Sequence, residues 1–189
     1  DGGPLGAPVS APPPDTAPPS ITITGVADGA SYPGAVTPVV TIADESPFTA
    51  TTNLNGAPFK SGTLVTAARG HDLDVTAEDN AGNTASKHVG FIIDKSAPAV
   101  AISDIVDGGV YAEVSPVVSI TDDHLDASKS GALLNGAAFA SGTLVSNAGP
   151  KVLSARGEDY AGNVTAATVD FAIHKGDPAM SLSFRADYD

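Results

Sequence analysis

One feature constrains this chain more than any other: it spells the same pattern twice. "PSITITGVADGASYPGAVTPVVTIAD" from Pro19 is answered by "PAVAISDIVDGGVYAEVSPVVSITD" from Pro98. "LNGAPFKSGTLV" from Leu54 is answered by "LNGAAFASGTLV" from Leu134, and "AEDNAGN" by "GEDYAGN". Later landmarks keep a constant offset, since Asn55 to Asn135, Asp79 to Asp159 and Phe91 to Phe171 are each 80 residues apart. Two tandem copies of one domain follow, with small length changes in their loops.

Within each copy the hydrophobic period is two. Val89, Phe91 and Ile93 alternate with His88, Gly90 and Ile92, and Val169, Phe171 and Ile173 do the same 80 residues on. Shorter runs of this kind occur at Ile21 and Ile23, at Val40 and Ile42, and at Leu73, Val75 and Ala77. Such alternation marks strands with one buried face. Fifteen Pro and twenty Gly punctuate the 189 residues, which disfavours long helices and favours short strands joined by turns. Aromatics make up only 5% and Trp is absent, so the core rests on Val, Ile, Leu and Ala. The pattern predicts an all-β chain of antiparallel sandwiches.

The expected organisation is a proline-rich linker at 1–19, a first repeat at 20–95, a second at 96–175, and a terminal piece at 176–189. The linker carries seven of the fifteen prolines and reads as an extended spacer. In the terminal piece Met180, Leu182 and Phe184 alternate with Ser181, Ser183 and Arg185. That is the start of a third repeat or an orphan strand that could be donated to a neighbouring subunit. A beginning at Asp1 rather than Met suggests a processed protein or a fragment of a longer one.

The formal charge is −13. Such a surface repels nucleic-acid phosphates and anionic lipid, and no run is apolar enough to insert in a membrane. Without cysteine there is no disulfide framework or thiolate site. His71, His88, His124 and His174 are scattered and do not recur between copies, and no phosphate loop, zinc spacing or nucleophile elbow is present. The expectation is a protein that is not an enzyme.

The repeated "DGASYPGAVTPVVTIAD", "LNGAPFKSGT" and "AEDNAGN" followed by "FIID" resemble bacterial immunoglobulin-like repeats, which occur in tandem on secreted and cell-surface proteins. The resemblance covers residues 20 to 175. It implies two tandem immunoglobulin-like β-sandwiches and an extracellular or cell-surface location. The implied role is that of a structural or spacer module, a semi-rigid rod that presents or links other domains of the same chain. Two alternatives belong to other classes: a calcium-stiffened adhesion module for a surface protein or carbohydrate, and a filament subunit joined to neighbouring subunits through the terminal strand.

The recurring acidic turn is the leading candidate site. Asp79 and Asn83 are suited to pin a hairpin loop, with Gly82 free to take positive φ, and Asp159, Gly162 and Asn163 match them in the second copy. The competing reading is calcium, which needs six to eight oxygens. Its ligands would be Asp44, Glu78 and Asp79 in the first copy and Asp122, Glu158 and Asp159 in the second, with Asp28 and Asp107 as further acids. No other cofactor is expected. Copy-specific function is expected where the repeats differ, beginning with Tyr160 in place of Asn80.

Overall fold

The computed structural model describes residues 13–176, and every regular element among them is a strand. The chain forms two compact units, Asp1–Asp94 and Lys95–Asp189. In the first, β1 (Ser20–Thr24) pairs antiparallel with β3 (Val39–Ala43) as a two-stranded layer. The facing layer contains β2 (Ala30–Tyr32), β4 (Phe48–Leu54), β5 (Ala57–Pro58), β6 (Gly70–Asp79) and β7 (Thr84–Ile93), in the order β2-β7-β6-β4-β5. Its pairings are antiparallel except at one edge, where β2 runs parallel to β7.

The second unit repeats the plan. Strands β8 (Ala99–Ser103) and β10 (Val117–Thr121) form the small layer. The large one holds β9 (Gly109–Tyr111), β11 (Gly131–Leu134), β12 (Ala137–Ala138), β13 (Gly149–Glu158) and β14 (Val164–Ile173), with β9 parallel to β14.

Period-two patterning sends alternate residues of β6 and β7 inward. Leu73, Val75, Val89, Phe91 and Ile93 are buried there, and Ile21, Ile23, Val40 and Ile42 pack on them from the small layer. Leu153, Phe171 and Ile173 hold the same places in the second unit, covered by Ile102 and Val118. Without Trp or a disulfide, an aromatic pair helps centre each core. Tyr32 meets Phe91 edge-on at 6.3 Å, and Tyr111 meets Phe171 at 6.1 Å, a geometry that the ring quadrupoles favour. Each tyrosine also uses its polar tip, since the Tyr32 hydroxyl accepts from Ala27 N at 2.8 Å and Tyr111 from Val106 N at 2.9 Å.

The β4–β5 and β11–β12 connections are the Asn-Gly turns of "LNGA". Asn55 and Gly56 take φ of 53° and 79°, and Asn135 and Gly136 take 50° and 82°, as a two-residue hairpin turn with both central residues left-handed requires. Gly25 has no substitute of that kind. At φ 83° a Cβ there would stand 2.2 Å from the Thr37 carbonyl oxygen.

The segment read as a pure spacer is not wholly one. Pro19 is buried, Asn83 Nδ2 donates to the Asp15 carbonyl at 3.3 Å, and Ser46 Oγ donates to the Asp15 carboxylate. Proline is tolerated at a strand's entrance because no ladder donor is needed there. Residues 15–19 therefore belong with the first unit despite their composition. The expected terminal strand at Met180, Leu182 and Phe184 lies outside the described residues.

Candidate functional site

The β6–β7 turn is built on one carboxylate. Asp79 Oδ1 accepts from Ala81 N at 2.9 Å and Asn83 N at 2.8 Å, while Oδ2 accepts from Asn83 Nδ2 at 2.7 Å. Its backbone closes the loop as well: Asp79 N donates to Asn83 O at 3.0 Å, and its carbonyl accepts from Gly82 N at 3.1 Å. Gly82 sits at φ 88°. The hydrogen bond from the Asn83 side chain, helped by the loop's backbone donors, lowers the Asp79 pKa against the opposing cost of burial. The β13–β14 turn repeats this arrangement. Asp159 accepts from Asn163 N at 2.8 Å and Nδ2 at 2.7 Å, and Gly162 takes φ 89°.

The calcium set named from sequence does not assemble as expected. Asp79 is buried and Glu78 is exposed, because consecutive strand residues point to opposite faces. Glu158 is likewise turned away from Asp159 and pairs instead with Lys129 at 2.8 Å and with Arg156. Asp28 and Asp107 are committed to backbone, accepting from Gly90 N at 2.8 Å and Asp170 N at 3.0 Å. What comes together in the first unit is Asp15, Asp44 and Asp79, whose carboxylate oxygens lie within 4.8 Å of one another. Asp15 comes from the proline-rich segment, where composition masked it. Each member already has donors: Asp44 accepts from Ser46 N at 2.7 Å, and Asp15 from Ala17 N at 3.0 Å. In the second unit Asp122 accepts from His124 N at 2.8 Å.

The outer faces of the two large sheets have diverged. In the first unit His88 lies between Asp74 at 2.8 Å and Asp72 at 3.7 Å, and the hydrogen bond that its Nδ1 donates to Asp74 raises its pKa above the ordinary imidazole value. A shallow groove of about 480 Å³ beside it is lined by Thr49, Thr51, Thr76, Glu78, Thr84 and Ser86. In the second unit the positions of Ser31, Asn53 and Asp72 carry Val110, Leu133 and Val152, all exposed. Below them Lys129 and Arg156 hold the Glu158 pKa down, Lys129 contributing most. Ser128, hydrogen-bonded to Asp126, lowers that carboxyl's pKa in the adjoining turn. Tyr160 stands 65% exposed at the turn tip.

In each unit the small layer covers one face of a five-stranded sheet whose first strand pairs parallel with its last. The two units are immunoglobulin-like β-sandwiches. No family model matches this chain, and neither does any curated protein. Solved structures do. Fibronectin(III)-like modules of Clostridium thermocellum CbhA are similar at 14% identity and a TM-score of 0.44, covering 82% of this chain and 94% of theirs. A structure concerned with host cell surface retention of a bacterial ice-binding adhesin is similar at 18% identity and a TM-score of 0.36, covering 85% of this chain and 65% of that one. Bacteroides ovatus SGBP-B, solved with a mixed-linkage heptasaccharide, is similar at 14% identity and 0.32, covering 83% and 48%. This chain thus spans about half of the glucan-locus protein and just under two thirds of the adhesin structure.

Proposed function

We propose that the chain is a non-catalytic structural module of a secreted or cell-surface protein, linking or presenting other domains. One observation carries this reading: in each unit the second strand, which follows directly on the entering one, is paired in parallel with the leaving strand. Ala30, Ser31 and Tyr32 lie beside Phe91, Ile92 and Ile93, and Gly109, Val110 and Tyr111 beside Phe171, Ala172 and Ile173. Tension applied through the two chain ends of a parallel pair shears it, so the rungs resist together instead of unzipping in turn. The pairs are extended at both ends by Gly29 N to Gly90 O at 2.7 Å and Asp94 N to Tyr32 O at 2.9 Å. Gly108 N to Asp170 O and His174 N to Tyr111 O do the same in the second unit, both at 2.8 Å. The recurring polar residues serve the same end, with Asp28 and Asp107 closing the strand entrances and Asp79 and Asp159 the hairpins. We place the protein at the cell exterior on the strength of the sequence resemblance.

Single-molecule force spectroscopy on the chain tethered at its ends tests this. Two successive unfolding events are expected, each releasing about 270 Å for roughly 80 residues of extended chain. A chain that extends without resolved force peaks overturns the reading.

The convergence of Asp15, Asp44 and Asp79 favours a second reading, a calcium-stiffened adhesion module. Calorimetric melting in millimolar calcium and in EDTA separates the two. Coincident melts are expected for the mechanical module, whereas a calcium-dependent rise of several degrees in the first unit supports the metal.

A further inference from the structure

The second unit contains a pocket with a chemistry of its own. Between the β11–β12 hairpin, the loop that follows Phe139 and the start of β13 lies a space of about 280 Å³, lined by Leu134, Phe139, Leu144, Val145, Ser146 and Lys151 together with neighbouring small residues. That is just under the usual range of small-molecule sites, and an apolar wall with few polar groups is their usual make-up. No acidic side chain contributes to the lining.

Lys151 is the unusual member. It is only 8% exposed, as an inward position of β13. Its Nζ donates to three carbonyls of its own loop, Gly149 at 3.2 Å, Pro150 at 3.4 Å and Ala148 at 3.5 Å. The first sits at the upper end of the N–H···O range and the other two beyond it, and among the described residues Lys151 joins no ion pair. A buried ammonium is costly without a counter-charge. The first unit answers the same position differently. His71 there stacks on Phe91 at 5.1 Å and engages Asn55 Nδ2 at 3.0 Å and Ala67 O at 2.9 Å through its two ring nitrogens. The framework therefore requires a polar residue at this point but not a cation.

We propose that this pocket binds a short aliphatic carboxylate, a binding function beyond the mechanical role above. The hydrocarbon body lies against Leu134, Phe139 and Leu144, and the carboxylate pairs with Lys151 Nζ, with Ser146 and Asn147 at the rim. The ligand supplies the negative charge that the pocket lining does not, and the apolar wall supplies the affinity for the hydrocarbon chain.

Amide chemical-shift titration of the full chain with hexanoate, and in parallel with hexanol, tests this. Hexanoate is expected to shift Ser146, Asn147 and Lys151 saturably, and hexanol to bind at least about tenfold more weakly, as loss of one charged hydrogen bond implies. Lys151→Met should abolish the hexanoate response. If that variant does not fold, Lys151→His, the first unit's residue, should remove the response at pH 8. Equal affinity for hexanoate and hexanol, absence of a saturable shift in the wild-type chain, or a response that survives in a folded variant overturns the proposal.

Discussion

Removing the Asp159 carboxylate should cripple the second unit while leaving the first intact. Asp159 is completely buried, and its oxygens accept from Asn163 N at 2.8 Å and Asn163 Nδ2 at 2.7 Å. Hydrogen bonds to a charged group contribute about 1.5–3 kcal/mol each. In Asp159→Ala the Asn163 side chain keeps its bond to the Ser96 carbonyl at 3.0 Å, which trims the loss on that side. The expected cost is about 3–4 kcal/mol. For a domain of this size each kcal/mol moves the midpoint by about 4–8 °C, so the second unit's transition should fall by roughly 12–30 °C. Scanning calorimetry of the whole chain provides an internal control, because the first unit's transition should not move. Asp159→Asn, which keeps one acceptor oxygen, should lose less. Running each variant in EDTA and in calcium separates the turn from a metal site. A loss under about 1 kcal/mol, or one seen only with calcium present, would refute the assignment of this carboxylate to hairpin closure.

Two other outcomes follow from local geometry. Gly25→Ala forces a Cβ to within 2.2 Å of the Thr37 oxygen at φ 83° and should cost the first unit at least about 2 kcal/mol in urea unfolding; a neutral result would contradict the close approach. His88, hydrogen-bonded to Asp74, should titrate above the ordinary imidazole value by NMR, and Asp74→Asn should return it towards that value. Because the folded pKa is the raised one, the pair's stabilisation is complete below the ordinary value and is lost as pH climbs through the raised one. Titration at or below the ordinary value would show that the contact does not persist in solution.

Much of the hairpin chemistry was legible from residue type and spacing. Asp79 and Asn83 are four apart around a glycine, and a carboxylate can reach only a few backbone donors across such a loop. The ligand set was not legible in the same way. Glu78 and Asp79 look like one acidic pair in the sequence, yet the pleat sends them to opposite faces. Asp15 looked like linker because five prolines stand within four residues of it, and only the contacts with Ser46 and Asn83 show where it belongs. Lys151 gave no signal, since a lysine opposite a histidine between repeats reads as ordinary surface drift until its burial is known.

The sequence by itself determined the duplication, the all-β class, the inward set of residues and the acidic hairpins at Asp79 and Asp159. Each of these depends on near neighbours or on comparison of one copy with the other. The tertiary structure alone decided that Asp15 joins Asp44 and Asp79, that the second strand of each unit pairs in parallel with its last, and that Lys151 borders an apolar pocket. These depend on which strand edges meet across tens of residues, and the two-residue period of a strand carries no information about its partner.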